Sequence, residues 1–109
     1  MTKLRDEFLI ELPLEDVSWA CRSAISSIGW NIKSVEPHRI VPKVGVGLTR
    51  NPSKIEVLLS EEGETHTTVT LNGSIGGIGP LQKGHLNGEM NRLRNAIEVA
   101  AHNAGPAPG

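Results

Sequence analysis

Aromatic residues are scarce in this chain of 109 residues, which has one Phe, two Trp and no Tyr. That scarcity removes most of the side chains that stack on bases, sugars or flat cofactors. Hydrophobic residues still make up 38% of the chain, and with the glycines the apolar share reaches about 49%, which is typical of soluble domains. A chain of this length can bury one core and not two. We therefore expect a single domain over residues 1–104 and a disordered tail over 105–109.

Cysteine, excess charge and long apolar runs are also lacking. The single Cys21 excludes an internal disulfide and a zinc cluster built on cysteines. Eleven Lys and Arg oppose twelve Asp and Glu, for a net charge of −1, so no overall field attracts nucleic acid or an anionic membrane. The start of the chain lacks the apolar stretch of a signal peptide, and no run approaches the roughly 18 apolar residues of a membrane span. These absences argue against nucleic acid and membranes as partners and favour a cytoplasmic protein.

Apolar residues that alternate with polar ones predict five strands. The predicted strands span residues 7–12, 30–35, 40–48, 54–60 and 67–72. Apolar residues at helical spacing predict two helices, one over 14–28 and one from Pro80 to His102. Gly29 is placed to cap the first helix, and Pro42 indicates an edge position or a bulge in the third strand.

The predicted element order is therefore β-α-β-β-β-β-α, which defines an α+β fold. The simplest arrangement is a curved antiparallel sheet with both helices on one face. This order is similar to the helix-grip and TATA-binding-protein-like half-domain architectures. The similarity covers residues 7–102 as a pattern of elements and implies a fold without a function.

The most unusual segment is rich in glycine and joins the fifth strand to the second helix. Gly79 and Gly84 have the spacing of a phosphate-binding loop, but His85 and Leu86 follow where that motif requires Lys and Ser or Thr. We interpret the segment as a flexible crossing, in which Gly84 and Gly88 bring the helix close to the sheet. The alternative is a loop that contacts a ligand or partner, with Trp19 on the polar side of the first helix as a further contact. The candidate contacts are then Trp19, Gly76, Gly77, Gly79, Lys83 and His85.

Charge is distributed unevenly in the middle of the chain. Residues 33–54 hold five basic residues against Glu36 alone, and residues 56–64 hold four acidic residues. We expect these blocks to be neighbours in the sheet and to neutralise each other in part. The alternative is a small patch for an anionic partner, formed by Lys43, Arg50 and Lys54.

No cluster of residues indicates catalysis or a metal site. The four histidines are scattered, without the i, i+4 pair of a helical zinc site. Cys21 falls on the apolar stripe of the first helix, which is typical of an inert packing group. His85 and Glu89 lie one turn apart, but such pairs are ordinary on solvated helix faces. We therefore assign no catalytic residue, no metal and no cofactor.

Three hypotheses for function remain. Leu9, Val35, Val41 and Leu58 fall among the polar positions of the sheet, which predicts an apolar strip on its open face. The first hypothesis is therefore a module that binds an unknown protein partner or a second copy of itself, without catalysis. The second is a helix-grip-like carrier that holds a small apolar ligand between the sheet and the second helix. The third is an enzyme that uses the histidine–glutamate pair of that helix.

Overall fold

The seven elements follow one another in the predicted order. The computed structural model describes residues 1–44, 53–76 and 80–103. The elements are β1 (Thr2–Ile10), α1 (Leu14–Ser27), β2 (Asn31–Glu36), β3 (Arg39–Lys43), β4 (Lys54–Glu61), β5 (Thr67–Ile75) and α2 (Pro80–Asn103). They form the predicted α+β domain. The predictions for residues 45–48 of the third strand and for the tail lie outside the described residues.

The five strands form an antiparallel sheet in the order β1-β5-β4-β3-β2. α1 packs on β2, β3 and β4, while α2 packs on β1 and β5. Alternate residues of the strands, such as Phe8, Ile55 and Val69, are buried in the core beneath the helices. We call the opposite side of the sheet the open face. Over the described residues, neither helix has the length and apolar character needed to span a membrane.

β1 is the strand whose limits differ most from the prediction. It begins at Thr2 rather than Glu7 and ends at Ile10 rather than Leu12. Its partner β5 continues to Ile75, so antiparallel pairing already starts at Thr2. Leu12 has left the strand but stays buried in the core, which explains why its side chain extends the apolar alternation.

Gly29 ends α1 as the sequence predicts. Its φ is 83°, a left-handed conformation that glycine adopts without a steric penalty. The amide of Gly29 donates to the carbonyl of Ser26, and the amide of Trp30 donates to the carbonyl of Ile25, both at 3.0 Å. These two bonds form a Schellman motif, and the buried side chains of Trp30 and Ile25 complete its apolar contact.

β3 is an inner strand, so the edge position that Pro42 predicts is wrong. Among the described residues, β3 pairs with β4 only at Arg39 and Ile40. Pro42 lies beyond these pairs, where its missing N–H removes no ladder bond to β4. Proline is therefore accommodated because the pairing of β3 with β4 has already ended.

A bulge was predicted in the third strand, but the irregularity lies in its partner β2, where the register shifts between Ile32 and Ser34. Beyond the shift, Val35 pairs with Ile40, whose side chain is fully buried in the core. Paired residues share a face of the sheet. Val35 therefore belongs to the helix side, and its predicted place on the open face is wrong.

The close approach of α2 to the sheet depends on Gly73 of β5. A Cβ at Gly73 would lie 2.6 Å from Sδ of Met90 and 3.0 Å from Cδ1 of Leu86. Gly84 and Gly88 of α2 are exposed, and a Cβ on either would meet no atom within 4 Å. The prediction that these two glycines bring the helix close is wrong, because α2 turns Leu86 and Met90 toward the sheet at Gly73.

Candidate functional site

The register of the sheet aligns polar residues from three strands in rows across the open face. One row, which we call the lysine row, contains Lys3 of β1, Ser74 of β5 and Lys54 of β4. Neighbouring strands lie about 4.8 Å apart. A single ligand above Ser74 would therefore lie within reach of both flexible lysine side chains.

The next row along the open face has a different character. It contains Arg5 of β1, Asn72 of β5 and Glu56 of β4. Oε2 of Glu56 accepts a hydrogen bond from Nε of Arg39 at 3.0 Å, and Oε1 accepts one from Nδ2 of Asn72 at 3.3 Å. Both carboxylate oxygens of Glu56 are therefore already engaged by neighbouring side chains.

These rows line a cleft with a volume of about 790 Å³, which we call the open-face cleft. All five strands contribute to it. The described lining residues are Lys3, Leu4, Arg5, Lys33, Arg39, Val41, Pro42, Lys43, Val44, Ser53, Lys54, Ile55, Glu56, Asn72, Gly73 and Ser74. They gather at the end of the sheet where β1 and β4 begin and where β3 and β5 end.

The open-face cleft lies where β3 and β4 are no longer paired. β3 pairs with β4 through Ile40, and the following residues from Val41 to Val44 line the cleft together with Ile55 of β4. Val41 and Val44, which are half-buried, bring apolar surface to this part of the lining, whereas the side chain of Ile55 is buried in the core. The cleft can therefore contact both an apolar group and a charged group of one ligand.

The charge of the cleft is strongly positive. Among the described lining residues, six are basic and Glu56 alone is acidic. Arg39 pairs with Glu56, and Nη2 of Arg5 pairs with Oε2 of Glu7 at 3.0 Å. The lysines of the lining have no ion pair within the described part of the chain. These uncompensated lysines are Lys3, Lys33, Lys43 and Lys54.

Two of the three basic residues predicted to form a patch lie together in a larger basic cluster, and binding of an anion there stays a prediction. Lys43 and Lys54 both line the cleft, whereas Arg50 lies outside the described residues. The expected neutralisation by the neighbouring acidic block is limited, since Arg39 pairs with Glu56 while the lysines stay uncompensated. Lys3 and Arg5 were missed because β1 was predicted to begin too late. Leu4 has the parity of Phe8 and Ile10, but Asp6 interrupts the alternation, so the local signal for this half of β1 is weak.

The other candidate contacts do not belong to the described lining of the cleft. Trp19 is 59% exposed on α1, and the guanidinium of Arg22 stacks over its ring at 4.0 Å from the centroid. Gly76 and Lys83 are exposed near the two ends of the glycine-rich segment. Gly77 and Gly79 lie outside the described residues. The structure thus does not bring Trp19 and Lys83 to the cleft.

His85 and Glu89 are close together on α2. Nε2 of His85 lies 3.3 Å from Oε1 of Glu89, as expected for residues one turn apart. Both residues are on the helix, and the open-face cleft is on the other side of the sheet. No group of three or more His, Cys, Asp or Glu side chains within the described ranges is arranged to hold a metal ion.

Cys21 is buried between α1 and the sheet. Its burial raises the pKa of the thiol to about 12 because the thiolate would lose its hydration. At neutral pH the group is therefore a protonated thiol. This state agrees with the predicted packing role.

The predicted apolar strip is interrupted on the open face. Leu9 is 55% exposed and lies in one row with Thr68, while Leu58 lies in the next row with Thr70. The threonines of β5 separate the two leucines. In the part of the sheet that the structure describes, the open face is a polar surface with a basic cleft at one end.

The space beneath α2, where the sequence suggested an apolar ligand, is occupied by side chains of the core. The helix residues that face the sheet are buried. They are Leu86, Met90, Leu93, Ile97 and Ala101. The contact at Gly73 closes the gap between sheet and helix at the end near the cleft. The observed cleft is therefore on the opposite side of the sheet from the predicted carrier cavity.

Comparison with known proteins identifies the fold and leaves the function open. No family model and no curated protein matches this chain. An uncharacterised protein from Bacillus thuringiensis has a similar structure, with a TM-score of 0.66 at 8% identity over 94% of this chain and 98% of that one. An HSP90 activator from Plasmodium falciparum has a TM-score of 0.59 at 17% identity, over 91% and 95% of the two chains.

A third similar structure is the di-domain ARO/CYC protein BexL from the BE-7585A biosynthetic pathway. Its TM-score is 0.59 at 13% identity, over 99% of this chain and 51% of that one. At such low identities these likenesses show the fold alone, which is compatible with the helix-grip architecture.

Proposed function

We propose that this chain is a binding module for a small amphipathic molecule with an acidic group, which it holds in the open-face cleft. The observation that carries the proposal is the charge of the lining. Among the described residues, six cations and one carboxylate surround the cleft, although the whole chain has a net charge of −1. Such a concentration of one charge in a concave site raises the local concentration of ligands of the opposite sign.

The size and the chemistry of the cleft support a small ligand. Its volume of about 790 Å³ lies within the range of roughly 300–1,000 Å³ that is common for small-molecule sites. Val41 and Val44, which are half-buried, offer apolar contacts beside the lysines. None of the described lining residues is aromatic, and binding surfaces for single-stranded nucleic acid use aromatic side chains as stacking platforms.

The fold by itself does not choose between ligand classes. One similar structure belongs to an ARO/CYC protein of a biosynthetic pathway, and another to an HSP90 activator. These descriptions concern a biosynthetic protein and a protein regulator on one architecture. Interaction with a protein partner or a second copy stays a prediction for this chain, and the interrupted apolar strip gives it less support than the basic cleft gives to an acidic ligand.

A pair of fluorescent probes tests the proposal. 8-Anilinonaphthalene-1-sulfonate carries one negative charge, and N-phenyl-1-naphthylamine is its neutral analogue of nearly equal apolar surface. We expect the sulfonate to bind with a dissociation constant about threefold to fivefold lower than the neutral probe in 50 mM salt, since an exposed ion pair contributes up to about 1 kcal/mol. Raising the salt to 500 mM should remove most of this difference by screening.

Two charge-neutralising variants make the experiment specific for the cleft. Lys54→Gln removes a lysine of the lining, while Lys83→Gln removes an exposed lysine of α2 outside the described lining. We expect the first variant to weaken sulfonate binding and the second to leave it unchanged, with tryptophan fluorescence reporting that both are folded. Equal affinities for the two probes, or equal effects of the two variants, would contradict the proposal.

A further inference from the structure

The four uncompensated lysines of the cleft come from four different strands. Lys3 belongs to β1, Lys33 to β2, Lys43 to β3 and Lys54 to β4. Each ammonium group is a compact charge on a flexible stem, so Lys3 and Lys54, which flank β5, can turn toward one anion. In the free protein these like charges repel one another, and a ligand of opposite charge relieves that repulsion.

Building on the proposed function, we infer that the acidic part of the ligand is a dianion of the phosphate-monoester type, which binds above the lysine row. A monoanion would compensate one of the two lysines of this row and leave the other. A phosphate monoester carries a charge of about −1.5 to −2 at pH 7 and three strong acceptor oxygens. Lys3, Ser74 and Lys54 can together supply a donor for each of these oxygens.

The position of Glu56 indicates that the negative charges of the ligand are concentrated at the lysine row. Its carboxylate lies in the adjacent row, where Arg39 and Asn72 hold both of its oxygens. A second anionic group placed above Glu56 would meet the negative charge of its carboxylate. The ligand therefore carries its anionic charge in one group at the lysine row and presents an uncharged body to the rest of the cleft.

The apolar part of the lining receives that uncharged body. Val41 and Val44, both half-buried, lie beside the lysines, where β3 and β4 are not paired. An organic phosphate with an apolar portion satisfies both regions of the cleft. A polyphosphate chain or a nucleic acid would place further charges over Glu56, so the row pattern favours a single terminal phosphate.

Two ligands of similar size isolate the effect of the second charge. Naphthalene-1-sulfonate carries one negative charge at all pH values of interest, whereas 1-naphthyl phosphate gains its second charge as the pH rises past about 6. We expect isothermal titration to show the phosphate binding about tenfold more tightly than the sulfonate at pH 8, because one additional charge meets unpaired lysines. At pH 5 the two affinities should be nearly equal, and the sulfonate corrects for any change in the protein itself.

Variants then locate the dianion within the cleft. Lys3→Gln and Lys54→Gln should each weaken the phosphate more than the sulfonate at pH 8. Lys83→Gln should change neither affinity, and circular dichroism shows whether each variant is folded.

The possible results separate this inference from the proposed function. Equal binding of phosphate and sulfonate at pH 8 would overturn the dianion and leave the binding of acidic molecules intact. No binding of either ligand would overturn both. A single-stranded oligonucleotide could also displace 1-naphthyl phosphate. If it did so at a lower concentration than that of 1-naphthyl phosphate, the ligand would be a nucleic acid rather than a small molecule.

Discussion

Gly73 shows how one residue sets the distance between the sheet and α2. A Cβ there would approach Sδ of Met90 to 2.6 Å and Cδ1 of Leu86 to 3.0 Å, which is closer than side-chain atoms pack. We expect Gly73→Ala to lower the free energy of unfolding by about 1–3 kcal/mol, the usual cost of overpacking a core. Urea unfolding of the variant measures this loss.

Gly76 provides the matched control for this substitution. It lies three residues further along the same chain segment, and a Cβ there would meet no atom within 4 Å. Gly76→Ala should therefore leave the midpoint of urea unfolding nearly unchanged. If the two variants were equally stable, the close contact between Gly73 and Met90 would not limit the packing of α2.

Cys21 gives a second prediction for a single residue. Its pKa in the folded protein is raised to about 12 by burial, from an ordinary value of 9.0. The unfolded chain therefore loses this proton first as the pH rises. The contribution of Cys21 to stability is complete below about pH 9 and is lost toward pH 12, by about 1.4 kcal/mol per pH unit.

Stability curves of the natural chain and Cys21→Ala test this dependence. Between pH 9 and pH 11 the natural chain should lose stability more steeply than the alanine variant, because alanine has no proton to release. At pH 8 the native thiol should also resist 5,5′-dithiobis(2-nitrobenzoate) until the protein unfolds. Parallel curves for the two proteins would show that the thiol is not desolvated.

At the scale of elements, α2 has two glycines that its packing does not need. Gly84 and Gly88 are exposed within the helix, with open space around each potential Cβ. Glycine in a helix interior is less favourable than alanine by about 0.5–1 kcal/mol because it loses more backbone freedom on folding. We expect Gly84→Ala and Gly88→Ala to stabilise the protein by about this amount each, measured by urea unfolding. A loss of stability would instead show that the added methyl groups meet a tight contact.

The elements were predictable from the sequence where the pattern was local. The 3.6-residue stripe and the terminal Gly29 were enough to define α1, since the cap depends only on residues from Ile25 to Trp30. β1 was less predictable because its first half is held by pairing with a strand more than sixty residues away. No local feature of Thr2 or Lys3 shows where that partner ends.

The candidate site depends on the same long-range information. Lys3 and Lys54 become neighbours through their common partner Ser74, and no spacing along the chain reveals this row. The sequence did indicate an anion-binding patch at Lys43 and Lys54, because those residues stand on either side of one connection. The sequence therefore predicted the part of the site that lies on strands adjacent in sequence. It did not predict the part that forms only when distant strands pair in the sheet.

Over the whole molecule, the fold separates charges that are nearly balanced in the sequence. Six of the eleven basic residues but one of the twelve acidic residues belong to the described lining of the cleft. The remainder of the chain then holds five basic and eleven acidic residues. One end of the open face is therefore positive on a protein whose pI is near 6.4, so net charge is a poor guide to what this protein attracts.

Ion exchange tests this separation of charge. At pH 7.5 and 50 mM salt, a net charge of −1 predicts no retention on a cation exchanger. Salt screens charges over about 10 Å at 0.1 M, so the resin responds to the charged surface nearest to it rather than to the net charge. We expect the protein to be retained weakly. Lys54→Gln should elute earlier than Lys83→Gln, although both variants have the same net charge. Identical elution of the two would mean that the cleft does not act as a distinct positive surface, because retention would then follow net charge alone.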